Sequence, residues 1–113
     1  NSEYIKNLVL ETKKNVVAYL TPDYILDYVS DVYQVDKKLI VSKNRSSNVV
    51  SARNLCVSLI RKHTDLSLSQ IGLFFGGRSH STILSCIKKS EASNVLLKEI
   101  NIFDNKINNL VVS

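Results

Sequence analysis

With 113 residues, of which 44% are hydrophobic, the chain can bury one core but is too short for two comfortable domains. Three glycines and one proline are too few breakers for a turn-rich sandwich, so the predicted fold class is all-α, a helical bundle. A formal charge of +5 and a pI near 9.3 fit an anionic partner without choosing between nucleic acid, acidic lipid and acidic protein.

The charge is unevenly spread. Residues 36–63 hold Lys37, Lys38, Lys43, Arg45, Arg53, Arg61 and Lys62 against Asp36 alone, whereas the first 35 residues are net acidic. A solvated face accounts for such a run as readily as a nucleic-acid surface does. Cys56 and Cys86 have no CxxC spacing and no disulfide density around them, which predicts two small buried hydrophobes in a reduced, intracellular chain. No charge-free apolar run approaches the roughly 18–20 residues that span a bilayer, and no signal-peptide order opens the chain. The missing initiator methionine and the start inside a helical pattern lead us to expect a piece of a longer protein.

In chain order, residues 3–20 place Tyr4, Ile5, Leu8, Val9, Val16, Tyr19 and Leu20 roughly on one helical stripe, interrupted by Thr12. Thr21 then reads as an N-cap, with Pro22 at the first helical position and Asp23 at the positive end of the dipole. The helix it opens should reach about Tyr33 and bury Ile25, Tyr28, Val29 and Val32. Asp36 can cap a short turn through Leu39 and Ile40, and "SKNRSSN" follows as an exposed basic loop. Asn48 is expected to restart the helix. From there to His63, the positions Val49, Ala52, Leu55, Cys56, Leu59 and Ile60 form a buried stripe, and Arg53 and Arg61, eight apart, project on similar sides.

Ser67 and Gln70 form a capping box for a short helix carrying Leu68, Ile71 and Phe74 or Phe75. Gly76 and Gly77 supply the positive φ that a sharp helix-to-helix turn needs. Ser79 caps a further helix to about Glu91, with Ile83, Leu84 and Ile87 inward. Leu96, Ile100, Phe103, Ile107 and Leu110 close the chain as a seam, for packing or for a partner helix.

Two helices joined by a glycine turn, the second opening on "RSHST", fit a helix-turn-helix. The major groove admits an α-helix whose amino end reaches base edges, while the free N–H groups of its first turn favour a phosphate. Short Ser, Thr and His side chains suit that entry. An ordinary bundle also uses such a turn, with Ser79 only capping and His80, Ser81 and Thr82 in solvent. Composition and spacing leave both readings open.

The residues go further. "VVSARNLCVSLIRKHTDLSLSQIGLFFGGRSHSTILSCIKK", residues 49–89, resembles the carboxy-terminal DNA-binding domain of the bacterial chromosomal replication initiator DnaA family; the likeness covers about residues 22–91 and is densest in "LSQIGLFFGGRSHSTI". The resemblance implies a TrpR-like helix-turn-helix in residues 22–113 that binds double-stranded DNA at the DnaA-box repeats of a replication origin. Residues 1–21 would then be a connecting helix from an ATPase module. It implies base contacts from Arg45 in the minor groove, from Ser79, His80, Ser81 and Thr82 in the major groove, and from Leu68 and Ser69 at the start of the first motif helix. Lys43, Arg53, Arg61 and Arg78 would meet the DNA backbone. It further implies a cytoplasmic, nucleoid location, protein regulators of initiation, and a monomer that assembles on DNA within the full-length protein. The family usually has aspartate where Ser79 stands, two adjacent basic residues at Asn44 and Arg45, and threonine at Ser81.

Other readings are a transcription or mobile-element regulator with the same domain, and a protein-interaction module using the Leu96–Leu110 seam. Catalysis is not expected. His63 and His80 have no carboxylate or cysteine at metal-ligand spacing, so no metal is predicted, and neither Ser79 nor Ser81 has an evident base. No GxxxxGK[ST] loop is present, so no cofactor is expected in this chain, and ATP would belong to the rest of a full-length protein.

Overall fold

The computed structural model describes residues 20–112, with side chains to residue 109. Among the described residues there are six helices and no strand: α1 Pro22–Tyr33, α2 Lys37–Ile40, α3 Ser47–His63, α4 Leu68–Phe74, α5 His80–Glu91 and α6 Asn94–Val112. The expected connecting helix lies, up to residue 19, outside the described residues, as does the side chain of Leu110.

The caps form as the sequence dictates. Thr21 accepts a hydrogen bond from the Tyr24 N–H at 3.2 Å with Pro22 at the first helical position, and Asp36 Oδ1 accepts from the Lys38 N–H at 2.8 Å. α1 ends at Gln34, which takes φ of 52° without being glycine. Its side-chain amide donates to the Asp31 carbonyl at 2.6 Å, a local bond that suits the left-handed position. α3 begins at Ser47, one residue before the expected Asn48. Asn48 instead donates from its side chain to the Tyr33 carbonyl at 3.3 Å and ties the start of α3 to the end of α1.

α3 is the centre of the bundle. α1, α2, α4, α5 and α6 all pack against it, and every residue from Ala52 to Ile60 is buried. A helix covered all round has no solvent face over that stretch, so the single buried stripe expected there widens into a core helix with a basic end. Ser90 of α5 is fully buried against it, and its hydroxyl donates to the Asn54 and Cys86 carbonyls at 2.8 and 3.0 Å. Cys56 and Cys86 are both free and buried, and burial pushes both thiols above their ordinary pKa.

Two core assignments shift by a fraction of a turn. Val32 is 41% exposed because Leu26 and Tyr33 draw the buried stripe of α1 to their side of Ile25 and Val29. Leu84 is 38% exposed because Ile83, Cys86, Ile87 and Ser90 define the inner face of α5, about 100° away from it.

The α6 seam is core. Leu96, Ile100, Phe103 and Ile107 are all buried against α3 and α5, which leaves that face no room for a partner helix. Asp104 completes the docking. It pairs with His63 at 2.7 Å and with Lys62, and the His63 ring stands edge-on to Phe103 with centroids 5.0 Å apart. His63, which has no carboxylate at metal-ligand spacing, finds its carboxylate partner 41 residues away, beyond the reach of a spacing argument.

Candidate nucleic-acid interface

The turn between α4 and α5 is built on three glycines. Ser67 and Gln70 form the expected capping box, with Gln70 N–H to Ser67 Oγ at 3.1 Å and Ser67 N–H to Gln70 Oε1 at 2.8 Å. At the other end of α4, Phe75 is buried and anchors the turn, while Phe74 lies half-buried beside it. Gly76 and Gly77 follow with φ of 82° and 85°, the left-handed region that side chains avoid. The Gly77 and Arg78 N–H groups both donate to the Gly72 carbonyl at 2.9 Å. Gly72 itself has no room for a side chain, since a Cβ there would sit 2.0 Å from the Arg78 carbonyl oxygen. The backbone of the turn therefore lies directly on α4, which sets where α5 begins.

α5 presents its amino end to solvent. His80, Ser81 and Thr82 are all exposed, and the Ser79 hydroxyl accepts from the Thr82 N–H at 3.3 Å and lies 3.0 Å from Thr82 Oγ1. Ser79 is thus engaged in capping. On α4, Ser69 is exposed, while Leu68 is half-buried against the core.

A basic loop, residues 41–46, flanks this tip. Lys43 and Arg45 are exposed. The loop is ordered by its own side chains: Ser42 Oγ donates to the Leu39 carbonyl at 2.7 Å, the Asn44 N–H to Ser42 Oγ at 3.1 Å, and the Ser46 N–H to Asn44 Oδ1 at 2.8 Å. The last bond needs an acceptor, which a basic residue at position 44 would lack. Asn44 thereby fixes the turn that carries Arg45.

The arginines expected at the DNA backbone divide. Arg61 is exposed at the end of α3 and donates to the Leu66 carbonyl at 3.0 Å. Arg53, by contrast, is only 6% exposed. Its guanidinium donates to the carbonyls of Ile40 at 2.7 Å, Leu39 at 3.1 Å, Ser42 at 2.7 Å and Asn44 at 2.9 Å. These four bonds engage Nε and Nη2 and turn that edge of the guanidinium toward the chain's own backbone. Burial first, and then the neighbouring Arg78, holds its pKa below the usual arginine value. Arg78 is half-buried and likewise faces the chain, donating to the Phe75 carbonyl at 2.5 Å, the Ser42 carbonyl at 2.6 Å and the Val41 carbonyl at 3.4 Å. Sequence spacing puts Arg53 and Arg61 on similar sides of one helix; depth, which spacing does not encode, separates them.

Residues 22–89 match the family described as the bacterial dnaA protein helix-turn-helix. The chain belongs to this family. Among curated DnaA-type relatives, the chromosomal replication initiator protein DnaA of Gloeobacter violaceus is 40% identical over 81 residues, which is 72% of this chain and 18% of that protein. The protein of the same name from Flavobacterium psychrophilum is 35% identical over 106 residues, 94% of this chain and 22% of its own length. That from Spiroplasma citri is 35% identical over 102 residues, 90% of this chain and 22% of its own. The chain thus spans about a fifth of the length of these DnaA relatives. Among the described residues, no group of three or more His, Cys, Asp and Glu is placed to hold a metal ion, and no helix is long and apolar enough to cross a membrane.

Proposed function

We propose that this chain is the duplex-binding module of a replication initiator, reading the DnaA-box repeats of a bacterial origin. The observation that carries this reading is the exposed tip His80–Ser81–Thr82, held by the three-glycine turn and flanked by Lys43 and Arg45. A helix end with short polar side chains and free N–H groups suits the major groove, and a guanidinium on an adjoining loop suits the narrow, electronegative minor groove of A·T-rich DNA. His80, Ser81 and Thr82 take the base edges, with Leu68 and Ser69 close by on α4. Arg45 enters the minor groove, and Lys43 and Arg61 grip the strands. Ser79, with its hydroxyl committed to the cap, contributes position more than a base contact. Where the family has aspartate, the acceptor suited to a cytosine amino group is absent.

In this reading residues 22–113 form the DNA-binding unit and residues 1–21 the connection to an ATP-using module outside this chain. The chain itself binds and does no chemistry. It works in the bacterial cytoplasm, meets regulators of initiation, and assembles on DNA as part of the longer protein.

The test is selection of bound duplexes from a random pool at near-physiological salt. The expected outcome is an enriched motif with an A·T-rich end. His80→Ala and Thr82→Ala should each cost on the order of 1–3 kcal/mol at one or two base pairs. Arg45→Ala should erase the preference at the A·T-rich end. Affinity should also fall steeply with salt, as phosphate neutralisation requires. Recovery of a random pool at any salt would defeat the reading.

A further inference from the structure

Arg53 and Arg78 come from different elements, α3 and the turn before α5, yet they converge on one acceptor. Both guanidinia donate to the Ser42 carbonyl, at 2.7 and 2.6 Å. Around it Arg53 also holds the Leu39, Ile40 and Asn44 carbonyls, and Arg78 also holds those of Phe75 and Val41. The backbone of residues 39–44 is thereby fastened on one side to the core helix and on the other to the glycine turn. Two cations placed side by side repel each other, so the arrangement persists only because carbonyl dipoles from both segments solvate them. Few alternative partners lie within reach of a buried guanidinium, and its planar fork fixes direction as well as distance.

We propose that Arg53 and Arg78 are positioning residues that lock the basic loop to the start of α5, so that the two readers of the proposed interface move as one rigid piece. This rests on the DNA-reading proposal above and adds a property to it: the protein measures the separation between the A·T-rich end of its site and the part read by His80 and Thr82. One inserted base pair shifts these two parts by about 3.4 Å and roughly a tenth of a helical turn. A loop on a flexible tether would follow that shift. A locked loop does not, and Arg45 loses its place.

Two measurements test this, and the first needs no DNA. Backbone amide order parameters for residues 42–45 of the free protein should match those of the helices, at about 0.85; values below about 0.6 would overturn the lock. The second uses the duplex enriched by the wild-type protein and the same duplex with one base pair inserted before its A·T-rich end. The wild type should bind the inserted duplex at least about tenfold more weakly, and no better than Arg45→Ala binds the unmodified one, in line with the loss of one good contact. Arg78→Lys keeps the charge but loses the fork. With its fold checked by a thermal melt and its salt slope unchanged, it should discriminate between the two duplexes by no more than about two- to threefold. If Arg78→Lys does not fold, Arg53→Lys serves in its place under the same checks. A wild type indifferent to the insertion, or a folded lysine variant with the full wild-type penalty, would refute the proposal. Failure to enrich any duplex would instead count against the DNA reading and leave the order-parameter result to stand by itself.

Discussion

Gly72→Ala should be among the most damaging single-methyl changes in this chain, lowering stability by about 3 kcal/mol and the melting temperature by roughly 15 °C. The new Cβ would lie 2.0 Å from the Arg78 carbonyl oxygen, and its obstacle is backbone. No rotamer change relieves a clash with a main-chain atom. Relief requires the turn to lift away from α4, which also breaks the paired hydrogen bonds from the Gly77 and Arg78 N–H groups to the Gly72 carbonyl. Gly77→Ala provides the internal comparison. Nothing lies within 4 Å of its Cβ, so its cost is the left-handed φ of 85° alone, about 1–2 kcal/mol. Thermal or urea unfolding followed by circular dichroism ranks the two. If Gly77→Ala proves the worse, the close approach of turn and helix is not what fixes the start of α5.

That ranking inverts the impression left by the sequence. Two adjacent glycines before "RSHST" announce a turn, and they do take positive φ. Gly72, lying inside a helical pattern, announces nothing, because close backbone approach depends on what the chain does six residues later. The same division runs through the rest of the molecule. Local chemistry was legible: Thr21, Asp36, Ser67 and Ser79 cap helices as their types and spacings dictate. Periodicity located the cores of α3 and α6. It did not reveal that α3 is wrapped by every other described helix, because a stripe of apolar residues fixes a face and not the number of neighbours. His63 with Asp104, and Arg53 with the loop carbonyls, are pairings across 41 and up to 14 positions. Such contacts exist only once the bundle has closed.

The likeness in "LSQIGLFFGGRSHSTI" went furthest toward function, and the structure adds a distinction that the likeness did not carry. A basic residue can serve a nucleic-acid interface by touching the polymer or by holding the residues that do. Lys43, Arg45 and Arg61 are exposed and available for the first role; Arg53 is buried and suited to the second. Charge counting treats them alike. Asn44 belongs with Arg53, since its side chain accepts the Ser46 N–H that shapes the loop.

Arg53→Met should therefore fail in a way that the loss of a phosphate contact would not. Methionine roughly fills the volume of the aliphatic stem but leaves the Leu39, Ile40 and Asn44 carbonyls without their guanidinium partner, and Ser42 with only that of Arg78. Hydrogen bonds to a charged donor contribute roughly 1.5–3 kcal/mol each when intact. Part of this returns as water reaches the loop carbonyls, and relief of repulsion from Arg78 offsets a little more. A net loss of about 2–4 kcal/mol in unfolding free energy remains, measurable by urea titration in the absence of DNA. Arg45→Met, at an exposed position, should change the same titration by no more than about 0.5 kcal/mol. The two variants then separate the roles of two arginines eight residues apart: one lowers the midpoint of the free protein, while the other leaves it in place and weakens binding to A·T-rich duplex. Equal midpoints for Arg53→Met and the wild type would mean that the carbonyl cluster is no part of the stability of the fold, and would return Arg53 to the set of side chains free to meet a phosphate.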